Sequence, residues 1–124
     1  MSFVCIVDDD ASMRSSLSNL LKSLGYAART FASGEEFLAS TVLDDALCVL
    51  LDLRLQGMQG PDVQSQMVEK QCHIPVVFMS AHGDDETVRR AMQCGAVAFL
   101  RKPFTEDVLV ESITLAIARH GDAK

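Results

Sequence analysis

Four places in the 124-residue chain carry side chains that could do chemistry together. Three consecutive aspartates, Asp8-Asp9-Asp10, close one apolar run, and Asp52 closes a second. Ser80 ends a third run and Lys102-Pro103 a fourth. Ionised carboxylates gathered within a few ångströms repel one another, so such a cluster needs a proton or a cation. An oxygen-only set with no His or Cys nearby selects a hard ion. Mg2+ fits best because it keeps several waters, with Mn2+ as the alternative. Beside a carboxylate, an ammonium and a hydroxyl, that ion suits the handling of a phosphoryl group. The metal and Lys102 would neutralise its oxygens, Ser80 would bind one, and a carboxylate could accept the group. Taken singly, each residue has a plainer role. An Asp after a strand is usually a helix cap, Ser80 a turn residue, and Lys102 a surface cation. Only their joint placement favours chemistry.

That placement depends on the elements. Apolar runs from Phe3 to Val7, Tyr26 to Phe31, Leu47 to Leu51, Pro75 to Met79 and Val97 to Leu100 have the length and content of parallel strands buried on both faces. The second, with Ala27, Ala28, Arg29 and Thr30, reads as an edge strand. Helical patterns alternate with them. Met13, Leu17, Leu20, Leu21 and Leu24 form one stripe, stopped by Gly25. Ser33 and Glu36 form a capping-box signature for a short helix around Phe37 and Leu38. Pro61 suits a first helical position ahead of Val63 and Met67. Asp84, Asp85 and Glu86 open a helix closed by Gly95, and Thr105, Glu106 and Asp107 open the last, with Leu109, Ile113, Ala116 and Ile117 on one face. Five strand–helix repeats demand right-handed crossovers. The expectation is one doubly wound (βα)5 α/β domain over residues 1–124, core about 3–119, with a parallel sheet in order 2-1-3-4-5. In such sheets ligands bind beyond the carboxyl ends of the strands. The four chemical positions would then share one rim, at the ends of four central strands.

Composition narrows the function classes. Hydrophobic residues make up 48% and charged residues 23%, ordinary globular usage. With 17 acidic and 11 basic residues the net charge is −6, which disfavours direct nucleic-acid binding. The longest apolar run, Ala46 to Leu51, is far too short for a membrane span. No basic region precedes the apolar start at Met1-Ser2-Phe3-Val4, so a cytoplasmic protein without a secretory signal is expected. Cys5 and Cys48 lie inside apolar runs and read as small buried thiols. With Cys72, Cys94, His73, His82 and His120 equally scattered, no zinc-site spacing emerges.

Four motifs in order, Ile6-Val7-Asp8-Asp9-Asp10, Leu51-Asp52-Leu53-Arg54, Met79-Ser80-Ala81 and Lys102-Pro103-Phe104, resemble the receiver domain of two-component response regulators. The resemblance runs from Phe3 to about Arg119. It implies that Asp52 accepts phosphate, that Asp9 binds Mg2+ directly and Asp8 through water, and that the Arg54 backbone carbonyl is a further metal ligand. Ser80 would follow the phosphoryl group during activation, Lys102 would bind it, and the Lys102-Pro103 bond is often cis in relatives. Phe99 lies at the position of a rotating aromatic switch, and Asp10 would be a helix cap. The implied activity is a phosphorylation-controlled signalling switch, with self-phosphorylation and autodephosphorylation, rather than a conventional enzyme. A sensor histidine kinase would be the partner. The surface from Asp84 to Arg119 (fourth helix, fifth strand, fifth helix) would be the readout face, supporting a phosphorylation-dependent homodimer. Arg54 and Leu100-Arg101-Lys102-Pro103-Phe104 resemble receivers of LuxR-type helix-turn-helix transcription factors, which implies an output such as transcription.

Some positions depart from the common pattern. Leu55-Gln56 precedes Gly57 where many receivers carry Met-Pro, which should loosen that loop slightly. Phe99 lacks the hydroxyl of a tyrosine, and aromatic packing alone would have to carry the switch. His82 sits where relatives tune dephosphorylation. Two other classes share parts of the pattern. A haloacid-dehalogenase-type phosphatase usually needs a second Asp two residues after the nucleophile, where this chain has Arg54. A flavodoxin-like electron carrier needs a Ser/Thr/Gly-rich phosphate loop where this chain has three aspartates. A degenerate receiver used purely as an interaction module is disfavoured by the intact set of residues.

Overall fold

The computed structural model describes residues 2–40, 45–81 and 84–122. Strands β1 (Phe3–Val7), β2 (Ala27–Phe31), β3 (Ala46–Asp52), β4 (Val76–Ser80) and β5 (Ala98–Arg101) alternate with helices α1 (Ala11–Ser23), α2 (Gly34–Ala39), α3 (Gly60–Glu69), α4 (Asp85–Gln93) and α5 (Glu106–Asp122). All strand pairs are parallel, in the order β2-β1-β3-β4-β5. Successive side chains point to opposite faces of a strand, so each buried strand feeds two cores. Val4, Ile6, Cys48, Leu50, Val77 and Met79 pack with Leu17 and Leu21 of α1 and Leu109, Ile113 and Ala116 of α5. Cys5, Val7, Val49, Leu51 and Phe78 pack with Phe37 of α2, Val63 and Met67 of α3 and Ala91 of α4. No described helix is long and apolar enough to cross a membrane.

Burial on both faces holds for β1, β3 and β4, and β2 is the exposed edge foreseen from its polar residues. It does not hold for β5. The strand order makes β5 the second edge, and of its four residues Leu100 alone is buried. Lys102 therefore reaches the sheet rim from an edge strand, and three of the four chemical positions end central strands, not four.

The helix signals match the caps closely. Asp10 caps α1, its carboxylate accepting from the Ser12 and Met13 amides at 2.9 and 3.4 Å. Ser33 caps α2 through the Glu36 amide at 3.0 Å, and Asp84 caps α4 through Thr87 at 2.7 Å. Gly25 and Gly95 follow α1 and α4 with φ of +93° and +100°, conformations that a side chain would strain. Pro61 is corrected by one place: Gln59 is the cap, so Gly60 opens α3 and Pro61 sits second. A missing amide still costs nothing there, because the first-turn amides have no partner within the helix. Strand ends also move. The ladder continues one residue past the apolar runs, pairing Asp52 with Met79 and Ser80 with Arg101, so both chemical residues are strand termini rather than loop residues.

The turn from β3 into α3 is tight. The Gly60 amide donates to the Leu53 carbonyl at 3.1 Å, and a Cβ on Gly60 would lie 2.6 Å from the Asp52 carbonyl oxygen and 2.9 Å from Leu53 Cα. Both are backbone atoms that cannot step aside. Gly60→Ala is expected to destabilise the fold by about 1–3 kcal/mol through overpacking, read as a lowered urea midpoint. An unchanged midpoint would show that this turn tolerates displacement.

Candidate functional site

The rim at the carboxyl ends of β1, β3 and β4 encloses a pocket of about 240 Å3 lined by Asp8, Asp9, Asp10, Asp52, Arg54, Ser80, Ala81 and Lys102. Asp8, Asp52 and Ser80 are buried, the first of them completely. Each is held by backbone bonds that extend the sheet. The Asp8 amide donates to the Phe31 carbonyl at 3.1 Å, and the Leu53 amide, just after Asp52, donates to the Met79 carbonyl at 2.8 Å. The Lys102 amide donates to the Ser80 carbonyl at 2.9 Å, which fixes where the lysine side chain starts. The Lys102–Pro103 peptide is cis, as the resemblance implied.

Lys102 spans the pocket. Its Nζ lies 2.9 Å from Asp8 Oδ2 and 3.3 Å from Asp52 Oδ2. The opposite oxygens of the two carboxylates take backbone amides: Asp8 Oδ1 from Asp10 at 2.9 Å, Asp52 Oδ1 from Arg54 at 3.2 Å. Arg14 Nη1 donates to the Asp8 carbonyl at 2.6 Å and braces the same strand end. Asp9 is exposed and reaches over the rim, where its Oδ2 accepts from the Gln56 amide at 3.1 Å. One oxygen from each of Asp8, Asp9 and Asp52 lies within 4.8 Å of the others.

The charge balance is unfavourable to the protein alone. Three carboxylates face one ammonium, and burial pushes the Asp52 carboxyl above its ordinary range. The Lys102 charge pulls it back and the Asp8 charge pushes it up again. Burial likewise pulls Lys102 down, but the Asp8 hydrogen bond and the Asp52 and Asp8 charges outweigh it, so its pKa is raised. An all-oxygen set with surplus negative charge fits a hard divalent cation.

The structure thus brings Asp8, Asp9, Asp52, Ser80, Lys102 and the backbone of Arg54 to one pocket. Phe99 does not line it. That residue is half-buried on β5, paired with Phe78 and packed against the core on the α2–α3–α4 side. Asp10 lines the pocket but is engaged as the α1 cap. His82 lies outside the described residues. Cys5 and Cys48 are the buried thiols expected, each pushed up to about 12 by desolvation and thereby kept unreactive.

The loop after Arg54 is gripped by a side chain from its own far end. The Gln59 side chain donates through Nε2 to the Leu55 carbonyl at 2.6 Å and accepts through Oε1 from the Leu55 amide at 3.3 Å. Sequence reading missed Gln59. Its signal was Asp62 three residues on, whose carboxylate accepts from the Gln59 amide at 3.2 Å.

Comparison with known proteins agrees with this geometry. The response regulator receiver domain family matches residues 4–114. The chain is 42% identical over 118 residues to nodulation protein W of Bradyrhizobium diazoefficiens, covering 95% of this chain and 52% of that protein. It is 39% identical over 123 residues to the C4-dicarboxylate transport transcriptional regulatory protein DctR of Rhodobacter capsulatus, covering 97% and 62%. The chain thus spans about half to three-fifths of the length of these relatives. Among solved structures, FixJ-N superposes with a TM-score of 0.87 at 33% identity, covering 95% and 94% of the two chains. The response regulator StyR superposes at 0.89 with 38% identity, covering 98% and 62%.

Proposed function

The chain belongs to the response regulator receiver domain family, and from that premise we propose that it is the phosphoacceptor of a two-component phosphorelay, with Asp52 as the accepting residue. One observation carries this reading: Asp8, Asp9 and Asp52 converge within 4.8 Å while Lys102 Nζ sits 3.3 Å from the Asp52 carboxylate. The donor is a phosphohistidine on a sensor histidine kinase. An Asp52 oxygen attacks the phosphorus, a P–O bond forms, and the P–N bond breaks with its electron pair returning to the imidazole. Asp8, Asp9, Asp52 and the Arg54 carbonyl are the groups that would hold Mg2+ or Mn2+, which when bound offsets charge on the phosphoryl oxygens. Lys102 offsets charge from the other side, and Ser80, which lines the pocket, would donate its hydroxyl to a phosphoryl oxygen. The Arg54 amide, already on Asp52 Oδ1, keeps the carboxylate oriented. Water then hydrolyses the acyl phosphate, so the domain resets itself.

Phosphorylation favours a second state to the extent that the group binds it better. In this reading Ser80 moves toward the phosphoryl group, Phe99 turns inward, and the face formed by α4, β5 and α5 carries the change to an output such as transcription. The large apolar residues Val108 and Leu115 of α5 are exposed, and a phosphorylation-dependent homodimer through this helix would cover them. Surface pairs there, Arg101–Asp85 at 3.1 Å and Arg90–Glu86 at 3.2 Å, contribute little to stability and are free to be rearranged. A cytoplasmic setting, without direct contact to nucleic acid or membrane, completes the proposal.

The test uses acetyl phosphate with Mg2+ and intact-mass measurement. One phosphoryl group should add to the chain, none in the presence of EDTA, and peptide mapping should locate it at Asp52. No added mass, or labelling at another residue, overturns the assignment.

A further inference from the structure

We infer that Gln59 is a positioning residue for the metal site, gripping the backbone of Leu55 and so fixing the loop that carries the Arg54 carbonyl and meets Asp9 through the Gln56 amide. This rests on the Mg2+ reading above and extends it to a residue outside the pocket. Residues 53–59 join β3 to α3 without regular structure. A carboxamide offers a donor and an acceptor side by side, so one Gln can satisfy both backbone groups of a single residue. Gln59 does so at 2.6 and 3.3 Å, on a residue whose own side chain is buried in the core.

The neighbours of that residue are the ones that touch the site. Arg54 donates its amide to Asp52 at 3.2 Å, and Gln56 donates its amide to Asp9 at 3.1 Å. Holding Leu55 therefore sets both contacts and the direction of the Arg54 carbonyl between them. The clamp itself is mounted on the first turn of α3. The Gln59 amide donates to Asp62 Oδ2 at 3.2 Å, and its carbonyl accepts from Val63 at 3.0 Å. Groups that orient ligands from outside the coordination sphere commonly change metal affinity without meeting the metal.

The experiment is calorimetric titration of the whole chain with MgCl2, with no phosphodonor present. Parent, Gln59→Ala and Gln59→Glu are compared, the last keeping an acceptor for the Leu55 amide while losing the donor. Both variants should bind Mg2+ about tenfold more weakly. Their urea midpoints without Mg2+ should fall only modestly, because Gln59 is an exposed residue at a helix end and only its bonds to Leu55 are lost. Parent-like affinity in both variants overturns the clamp alone. So does weakened binding that merely tracks a fall in the metal-free midpoint. A parent chain with no saturable Mg2+ binding overturns the metal reading and the clamp with it.

Discussion

Asp52→Asn takes up no phosphoryl group under conditions where the parent gains one, and in Mg2+-free buffer near neutral pH it is the more stable of the two. The first half follows from nucleophilicity: an amide oxygen does not form an acyl phosphate, and no neighbouring carboxylate occupies the same position between Lys102 and the Arg54 amide. The second half follows from linkage. The Asp52 carboxyl is raised above its ordinary value, by burial first and then by Asp8 opposing Lys102. A folded-state pKa above the unfolded one means that the folded chain holds the proton more tightly. The ionised carboxylate therefore weakens the fold at pH above the folded pKa, and that cost disappears as pH falls through it. Asparagine removes the cost at neutral pH. The difference between variant and parent should close as the solution is acidified toward the unfolded pKa of about 3.9. Urea midpoints measured with EDTA from pH 4 to 8 check the sign. Equal phosphoryl uptake by the two proteins would remove Asp52 from its role.

The reason such a site can be read at all lies in the parallel sheet. Every strand runs the same way, so the residue that closes each apolar run arrives at one rim, and Asp8, Asp52, Ser80 and Lys102 could be grouped without knowing a single distance. The caps were equally legible, because Asp10, Ser33 and Asp84 act on amides two or three positions away. What stayed hidden depends on contacts that no local pattern encodes. The Gln56 amide meets Asp9 across 47 positions of chain, and any residue but proline could supply that amide. Gln59 looked like an unremarkable polar residue, since its partner is backbone and not a side chain of complementary type. The partial exposure of β5 was obscured by its apolar content: Phe99 and Leu100 read as interior residues, although the expected strand order already set β5 at an edge, where Leu100 alone is buried.

Lys102→Met should produce the largest loss of stability of any substitution at the site. Methionine keeps the length and apolar stem, so what is removed is the charge between Asp8 and Asp52. The lysine side chain is 16% exposed and that of Asp8 1%, so water cannot take the ammonium's place at Asp8. Breaking a buried pair from one side costs about 3–5 kcal/mol, because the partner is left charged and uncompensated. In urea this is a midpoint lower by roughly 2 M for a domain of this size. The pH dependence separates charge from packing. The Lys102 pKa is raised, the Asp8 bond and the two carboxylate charges outweighing burial. The stability it contributes is therefore complete below the unfolded value of about 10.4 and fades as pH rises through the folded one. Parent and variant should converge in strong alkali. On the acid side the variant should instead gain stability as pH falls from 8, because Asp52 has lost the ammonium that held its carboxyl down. In the proposed reading Mg2+ is held at the same carboxylates, so adding it at ten times its dissociation constant should restore about 1.4 kcal/mol. If the midpoints coincide in metal-free buffer at pH 8, the ammonium is not what balances the two aspartates, and the electrostatic account of the pocket fails with it.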